Sequence, residues 1–383
     1  MTQSELDILL REEVRQAIKE NLERDPLRIA LDGKLPYARE VATQVKYLQR
    51  AKRKLPRLYA ACGIIPQRAF EQSSSEECAS AKRIGGESLL DLTCGLGMDA
   101  AALAGRFRRV VALERDQVLA SVTKENMRRM GIENVEVVNT SAEEYLAHCE
   151  EHFDWIYVDP DRRTDKGERV FKLEDCSPNV VALMERMKSV ADNVCIKCSP
   201  LFDTAEALRL FEGCSVSTLS LGGECKQVNI YIDGRIPTIT ATAVGLGSFV
   251  VEQSRADDIA FSPLADSFDE YNYLIIPDVA LFHSRFSAAA FAGKADIWSA
   301  NGVALSADMP NNVLGRIFEI EKIYDFGGKE LKRELKGKRV EIFRRDFPLS
   351  NSEICKKFSV KEGAAERWCF TQIGGKRLSI KIK

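Results

Sequence analysis

Apolar residues recur at three- and four-residue spacing through residues 4–30 and 37–61, which predicts a helical lead-in over the first ~70 positions. From Ser88 the texture changes to short apolar runs alternating with helical segments. Strands are predicted at 88–92, 109–114, 135–139, 154–159 and 193–198, and helices near 97–105, 116–130, 142–150 and 178–190. This βαβα alternation predicts an α/β domain built on a parallel sheet with helices on both faces. Strand-like runs at 215–221, 226–232 and 237–244 could close the sheet's edge. Residues 271–318 form a mixed stretch holding Phe282-His-Ser-Arg-Phe-Ser287 and Trp298. No internal repeat or extended low-complexity tract interrupts the pattern.

At 383 residues the chain should hold two or three domains, given roughly 100–200 residues per domain. Hydrophobic residues at 45% and charged residues at 29% exclude a disordered or collagen-like chain. Eleven cysteines, an odd number scattered along the sequence, do not make a disulfide framework and fit a reducing cytoplasm. The N-terminus carries early acids and no apolar run, so neither a secretory leader nor a membrane span is expected.

A net charge of −2 gives no global basic signature, but the charge is unevenly spread. Residues 329–383 hold sixteen Lys and Arg against seven Asp and Glu, which suggests a basic tail domain on an acidic body and a polyanionic partner. Lys46, Arg50, Lys52, Arg53, Lys54 and Arg57 follow one another without an intervening acid. They form either a solvated helix face or a surface for phosphates.

The stretch Leu89-Leu-Asp-Leu-Thr-Cys-Gly-Leu-Gly-Met-Asp99 reads as a strand, a glycine turn and a helix start. Gly95 and Gly97 tolerate positive φ and let the backbone approach a ligand. Glu114 falls at the end of the next strand, 23 residues after Asp91, where a carboxylate can hold the ribose of a nucleotide cofactor. Ala100 stands where a dinucleotide motif has its third glycine or alanine, and Thr93 precedes the pair, so this motif alone does not separate a dinucleotide enzyme from other nucleotide binders. The fourth strand separates them. It ends Val158-Asp-Pro-Asp-Arg-Arg163, and its Asp-Pro step resembles the catalytic loop of class I S-adenosylmethionine (SAM) methyltransferases.

Glu71-Gln-Ser-Ser-Ser-Glu-Glu-Cys-Ala79, Val170-Phe-Lys-Leu-Glu-Asp-Cys-Ser-Pro178, Gly223-Glu-Cys-Lys226, the Phe282–Ser287 segment and the basic end resemble the bacterial methyltransferase family with a C-terminal THUMP-like domain. The resemblance implies a Rossmann-type class I methyltransferase sheet with an N-terminal helical segment and small α+β C-terminal domains. It places a helical region at 1–80, the methyltransferase domain at 81–270, a ferredoxin-like insert at 271–318 and the THUMP-like domain at 319–383. It implies SAM as cofactor and suggests RNA as substrate. Asp91, Thr93, Gly95, Gly97, Glu114 and Asp159 would line the cofactor, with Ser141 where many relatives carry an adenine-binding Asp. Asp159, Pro160 and Asp161 would form the catalytic loop, and Arg162 and Arg163 would grip substrate.

Asp159 could accept a hydrogen from an acceptor amine and aim its lone pair at the methyl group, while Pro160 locks the turn. A rival chemistry lies in Cys195-Ile-Lys-Cys-Ser-Pro200, which resembles the nucleophile motif of pyrimidine C5-methyltransferases, with Cys198 as thiolate. A catalytically silent RNA-binding protein on the same fold, and a small-molecule or protein methyltransferase, are further alternatives. No metal site is expected: the Cys195/Cys198 pair has no second pair at zinc spacing, and His148-Cys-Glu-Glu-His152 reads as a solvated helix end.

Overall fold

The computed structural model describes residues 1–162, 172–255 and 260–383. It divides into two units, one of Met1–Phe202, Leu208–Cys214 and Asn229–Gly234, the other of Asp203–Ala207, Ser215–Val228 and Arg235–Lys383.

The first unit begins with the predicted helical lead-in: α1 (Gln3–Leu9), α2 (Glu12–Glu20), α3 (Pro26–Ala30), α4 (Ala38–Lys54), α5 (Pro56–Ala60), α6 (Gln67–Gln72) and α7 (Glu76–Ser80). Local chemistry sets their ends. Thr2 and Glu5 close a capping box on α1, and Asp25 caps α3 ahead of Pro26. α4 stops at Leu55 because Pro56 disfavours helical backbone in the residue before it. Val41, Val45 and Leu48, one stripe of α4, are fully buried with Leu6, Ile18 and Ile29. Leu96, Met98 and Val122 of the following α/β region belong to the same core. Buried Asn126 reinforces the junction: its Oδ1 accepts from Ile64 N (2.8 Å) and its Nδ2 donates to Ile64 O (2.8 Å).

The five predicted strands form as β1 (Gly86–Asp91), β2 (Phe107–Leu113), β3 (Val135–Val138), β4 (Phe153–Val158) and β5 (Ala191–Cys198). They run parallel in the order β3-β2-β1-β4-β5, with Asp91 level with Ala112 on one side and Tyr157 on the other. The linking helices are α8 (Met98–Leu103), α9 (Gln117–Arg129), α10 (Ala142–His148) and α11 (Val180–Val190). Continuous apolar runs such as Val110–Leu113 are buried on both faces, as central parallel strands require. The chain builds outward from β1 to β3, then returns to β4. That reversal makes the carboxyl ends of β1 and β4 the switch point at which doubly wound sheets bind ligands.

The division between units runs through α12 (Thr204–Leu210) and β7 (Glu224–Ile232). In the second unit β6 (Ser215–Leu221) pairs parallel with β8 (Thr238–Ala243), and β8 pairs antiparallel with β9 (Gly247–Glu252). An eight-stranded sheet follows, made of β10 (Tyr273–Pro277), β11 (Asp296–Ile297), β12 (Ala304–Ser306), β13 (Gly315–Asp325), β14 (Arg339–Arg345), β15 (Lys361–Glu362), β16 (Glu366–Ile373) and β17 (Lys376–Ile382). Its order is β11-β12-β10-β13-β17-β16-β14-β15. Helices α13 (Val279–Ser284), α14 (Ser287–Phe291), α15 (Lys329–Leu335) and α16 (Asn351–Phe358) complete the unit, with Leu331, Ile354, Phe358, Trp368 and Phe370 in one core. The predicted α/β class with small α+β C-terminal parts is the observed one. Among the described residues no helix is long and apolar enough to cross a membrane.

Candidate active site at the strand ends

The turn after β1 is pinned on both sides. Leu92 N donates to Tyr157 O (2.9 Å) and Cys94 N to Leu113 O (2.8 Å). Gly95 and Gly97 both take positive φ, 55° and 79°, but for different reasons. A Cβ on Gly97 would come within 2.5 Å of Met127 Cε and 2.6 Å of Thr123 Cγ2, so this glycine lets α9 close against the turn. A Cβ on Gly95 would meet nothing, so its surface is open to a ligand.

Carboxylates are tied to this turn by backbone donors. Glu114 accepts from Gly95 N (3.0 Å) and Asp116 N (2.8 Å), and burial raises its pKa. Asp91 Oδ1 accepts from Thr93 N (2.9 Å), and Thr93 Oγ1 in turn accepts from Asp159 N (2.6 Å). Asp91 Oδ2 is buried without a partner. Burial pushes this carboxyl up to about 8; the Thr93 N–H opposes the shift, and the Asp99 and Asp159 carboxylates add to it.

Beneath the rim lies a chain of charges that sequence reading missed. Lys82 Nζ, wholly buried, bonds Asp99 Oδ1 and sits 5.2 Å from the Tyr157 ring centroid. Asp99 Oδ2 accepts from Ser74 Oγ (2.9 Å) and lies 3.9 Å from Lys197 Nζ. Lys197 Nζ also donates to Asp159 Oδ2 (2.5 Å) and Ser74 Oγ (3.0 Å). Burial alone would raise Asp99, but Lys82 and Lys197 outweigh it and hold the carboxyl at about 2. Burial would likewise lower Lys197, yet Asp159 and Asp99 carry it above the ordinary lysine range. One sequence signal pointed here: a lysine inside the apolar run Val194-Cys-Ile-Lys-Cys198, since charged side chains enter a core only when paired. Lys82 and Asp99 carry no comparable pattern.

Hydrogen bonds therefore join Asp91, Thr93 and Asp159 in one set and Gly95 and Glu114 in another, with Gly97 in the same turn. Pro160 is buried behind Asp159. Asp161 N donates to Ser177 O (2.8 Å), Ser177 N donates to Asp161 O (3.0 Å), and Asp161 Oδ2 lies 3.8 Å from Arg68 Nη2. Arg162 is exposed beside this loop, while Arg163 and the start of the Val170–Pro178 motif lie outside the described residues. Ser141 stands beyond β3, where its Oγ caps α10 by accepting from Glu144 N (3.1 Å). It touches none of the five joined residues through a side-chain bond; neighbouring Asn139 does, donating to Glu114 O (2.8 Å). Cys198 is buried, and burial, with Asp159, pushes its thiol well above the usual range, which opposes a thiolate nucleophile. His148 ends α10 as expected. Among the described residues no three His, Cys, Asp or Glu side chains gather to hold a metal ion.

A parallel sheet whose switch point carries a glycine turn, an acid just after the second strand and an Asp-Pro loop after the fourth defines a class I methyltransferase fold. Residues 67–199 match the family described as conserved hypothetical protein 95, and residues 315–381 match the THUMP domain-like family. The chain thus carries a methyltransferase-family region and a THUMP-like region, as its motifs suggested. It is similar to an uncharacterised S-adenosylmethionine-dependent methyltransferase of Mycobacterium tuberculosis, at 27% identity over 43% of this chain and 45% of the relative. It is 33% identical to ribosomal RNA small subunit methyltransferase J of Francisella philomiragia over 23% of this chain and 42% of that one. A tRNA/tmRNA (uracil-C(5))-methyltransferase of Stutzerimonas stutzeri is 28% identical over 36% of this chain and 46% of its own. The chain spans under half the length of these curated relatives. A crystal structure of a candidate methyltransferase from Porphyromonas gingivalis W83 superposes with a TM-score of 0.82 at 25% identity, covering 97% of each chain.

Two outcomes follow from the electrostatics. Lys82→Met removes the nearer of the two lysines beside the buried Asp99 carboxylate, leaving Lys197 at 3.9 Å, and should cost about 3 kcal/mol in urea unfolding, whereas Lys82→Met with Asp99→Leu should recover most of that loss. For Asp91, the unfolded carboxyl titrates near 3.9 and the folded one near 8, so the folded state holds the extra proton between those values and stability falls as pH rises through that window. Asp91→Asn removes this dependence. Between pH ~5 and ~8 the wild type should lose on the order of 3 kcal/mol more than the variant, and parallel unfolding curves at both pH values would refute the assignment.

Proposed function

We propose that the protein is a SAM-dependent methyltransferase acting on RNA, with a base nitrogen as the favoured acceptor. The observation that carries this reading is Asp91: a buried carboxylate with one unpartnered oxygen, at the switch point, beside a glycine whose Cα faces open space. A carboxyl so placed is poised for a cationic group, and the methionine part of SAM carries an ammonium. Glu114, already fixed by Gly95 N and Asp116 N, is set to hold ribose hydroxyls. Asn139 and the capped Ser141 border the adenine side. Bound SAM would supply an electrophilic methyl group; the protein's part is alignment, removal of water and control of one proton.

Asp159 takes the acceptor's N–H hydrogen in this reading. Lys197 and the Thr93 hydroxyl hold its side chain and its backbone amide. Pro160 stiffens the loop, and Asp161, Arg162 and Arg163 contact the substrate. An RNA substrate is supported by the ribosomal RNA and tRNA/tmRNA enzymes among the relatives and by the THUMP-like match. The eleven cysteines suit a cytoplasmic enzyme. The domain limits read from the resemblance, at residues 80, 270 and 318, stand as part of this proposal.

The direct test is transfer of tritiated methyl from SAM into RNA lacking the modification. Asp159→Ala should lower the rate by about 100-fold or more, as loss of a positioned proton acceptor does, with SAM affinity changed only a few-fold. Folded wild type that fails to bind SAM would remove the reading. Calorimetry offers a separate check. At pH ~7 a carboxyl titrating near 8 is about nine-tenths protonated and must ionise to meet an ammonium. SAM binding should then release close to one proton, and Asp91→Asn should release none.

A further inference from the structure

The thirty residues from Val41 to Phe70 contain seven Lys and Arg and no Asp or Glu. A solvated helix face usually mixes the two signs for solubility and for i,i+4 pairing, so a long stretch of one sign calls for another cause. On α4 the placement is ordered. Arg39, Lys46, Arg50 and Arg53 fall at offsets of 7, 11 and 14, which at 3.6 residues per turn form one stripe along about 21 Å of helix axis. All four are exposed, and among the described residues none is in an ion pair, unlike Lys52 with Glu23 or Arg57 with Glu76. The buried stripe of Val41, Val45 and Leu48 fixes the helix against the rest of the unit, so the cationic stripe is rigidly presented.

The stripe is connected to the candidate active site. Arg50 lies over the Tyr47 ring at 5.3 Å and over the Phe70 ring at 5.3 Å, and Tyr47 packs edge-on against Phe70. Phe70 belongs to α6. From the same helix Arg68, 74% exposed, reaches within 3.8 Å of Asp161 in the Asp159–Arg162 loop. Four residues after Phe70, Ser74 bonds both Asp99 and Lys197 beneath Asp159. The exposed cations therefore connect, through Arg50 lying on the buried Tyr47 and Phe70 rings and through Arg68 of the same helix as Phe70, to the loop that holds the proposed proton acceptor.

We propose that Arg39, Lys46, Arg50 and Arg53, continued by Arg68, form the track along which the RNA backbone is led to Asp159. Lysine and arginine neutralise phosphates, and arginine lying on aromatic rings adds stacking surfaces for unpaired bases. The track binds without reading sequence and positions the acceptor nucleotide. This inference rests on the RNA reading above.

The test uses the full chain, a single-stranded RNA of about 20 nucleotides and fluorescence anisotropy at several salt concentrations. Arg39→Gln, Lys46→Gln and Arg53→Gln combined leave the ring-bound Arg50 in place. This variant should bind RNA at least tenfold more weakly, and its log K against log salt slope should fall by about 2, near 0.7 for each lost phosphate contact. SAM binding should be unchanged, which reports the fold. A second measurement needs no variant: amine-reactive labelling of wild type should show Lys46 protected several-fold by RNA and Lys34, on the loop before α4, unprotected. If wild type binds RNA but the triple variant keeps its affinity and slope, or Lys46 labels equally with and without RNA, the track is wrong and the RNA reading survives. Wild type that binds no RNA overturns both.

Discussion

Carboxylates can be gathered at the dry end of a parallel sheet only if cations are buried with them, and this requirement organises the first unit. Three aspartates and two lysines meet beneath the rim. Lys82 and Lys197 satisfy Asp99 and Asp159, and neither is bonded to Asp91, whose second oxygen is buried without a partner. Burial, with the Asp99 and Asp159 charges adding to it, therefore raises its pKa. In the proposed function, a cationic ligand at that oxygen would complete the set.

The same lysines explain why Asp159 can be both polar and well placed. A carboxylate at a strand tip, partly open to solvent, would ordinarily sample several rotamers. Here Lys197 holds one oxygen, and the Thr93 hydroxyl holds the backbone amide of the same residue. Ser74, from the loop after α6, ties both Asp99 and Lys197 to the helical lead-in. For the methyl transfer proposed above, whose main demand is alignment, such preorganisation would spare the protein any reordering.

Much of this was legible in the chain. Apolar runs bounded by turn residues located all five parallel strands and their helices within a few residues, because strands buried on both faces must be continuously apolar. The strand-end positions of Gly95, Glu114 and Asp159 were legible because each follows an apolar run. Lys82, Asp99 and Ser74 were not. Their partners lie from seventeen to well over a hundred residues away, and neither helical nor strand periodicity reports which charges will share a cavity. Ser141 shows the reverse limit: its position after the third strand suggested an adenine contact, but the sequence did not show that its oxygen also caps a helix. Cys198 likewise stood in a suggestive tripeptide, but reactivity depends on burial and neighbouring charge, which spelling does not encode.

The shared apolar core of the helical lead-in and the glycine turn has a structural cost for any shortened form of the protein. Leu96 and Met98 are buried by side chains from the first 70 residues, although the family match begins only at residue 67. Trimmed to the matched region, the chain would expose those two side chains to water at the place where the loop must stay rigid. Homology limits and the smallest cooperative folding piece are thus different cuts through this molecule, and the preceding helices act as the loop's missing wall.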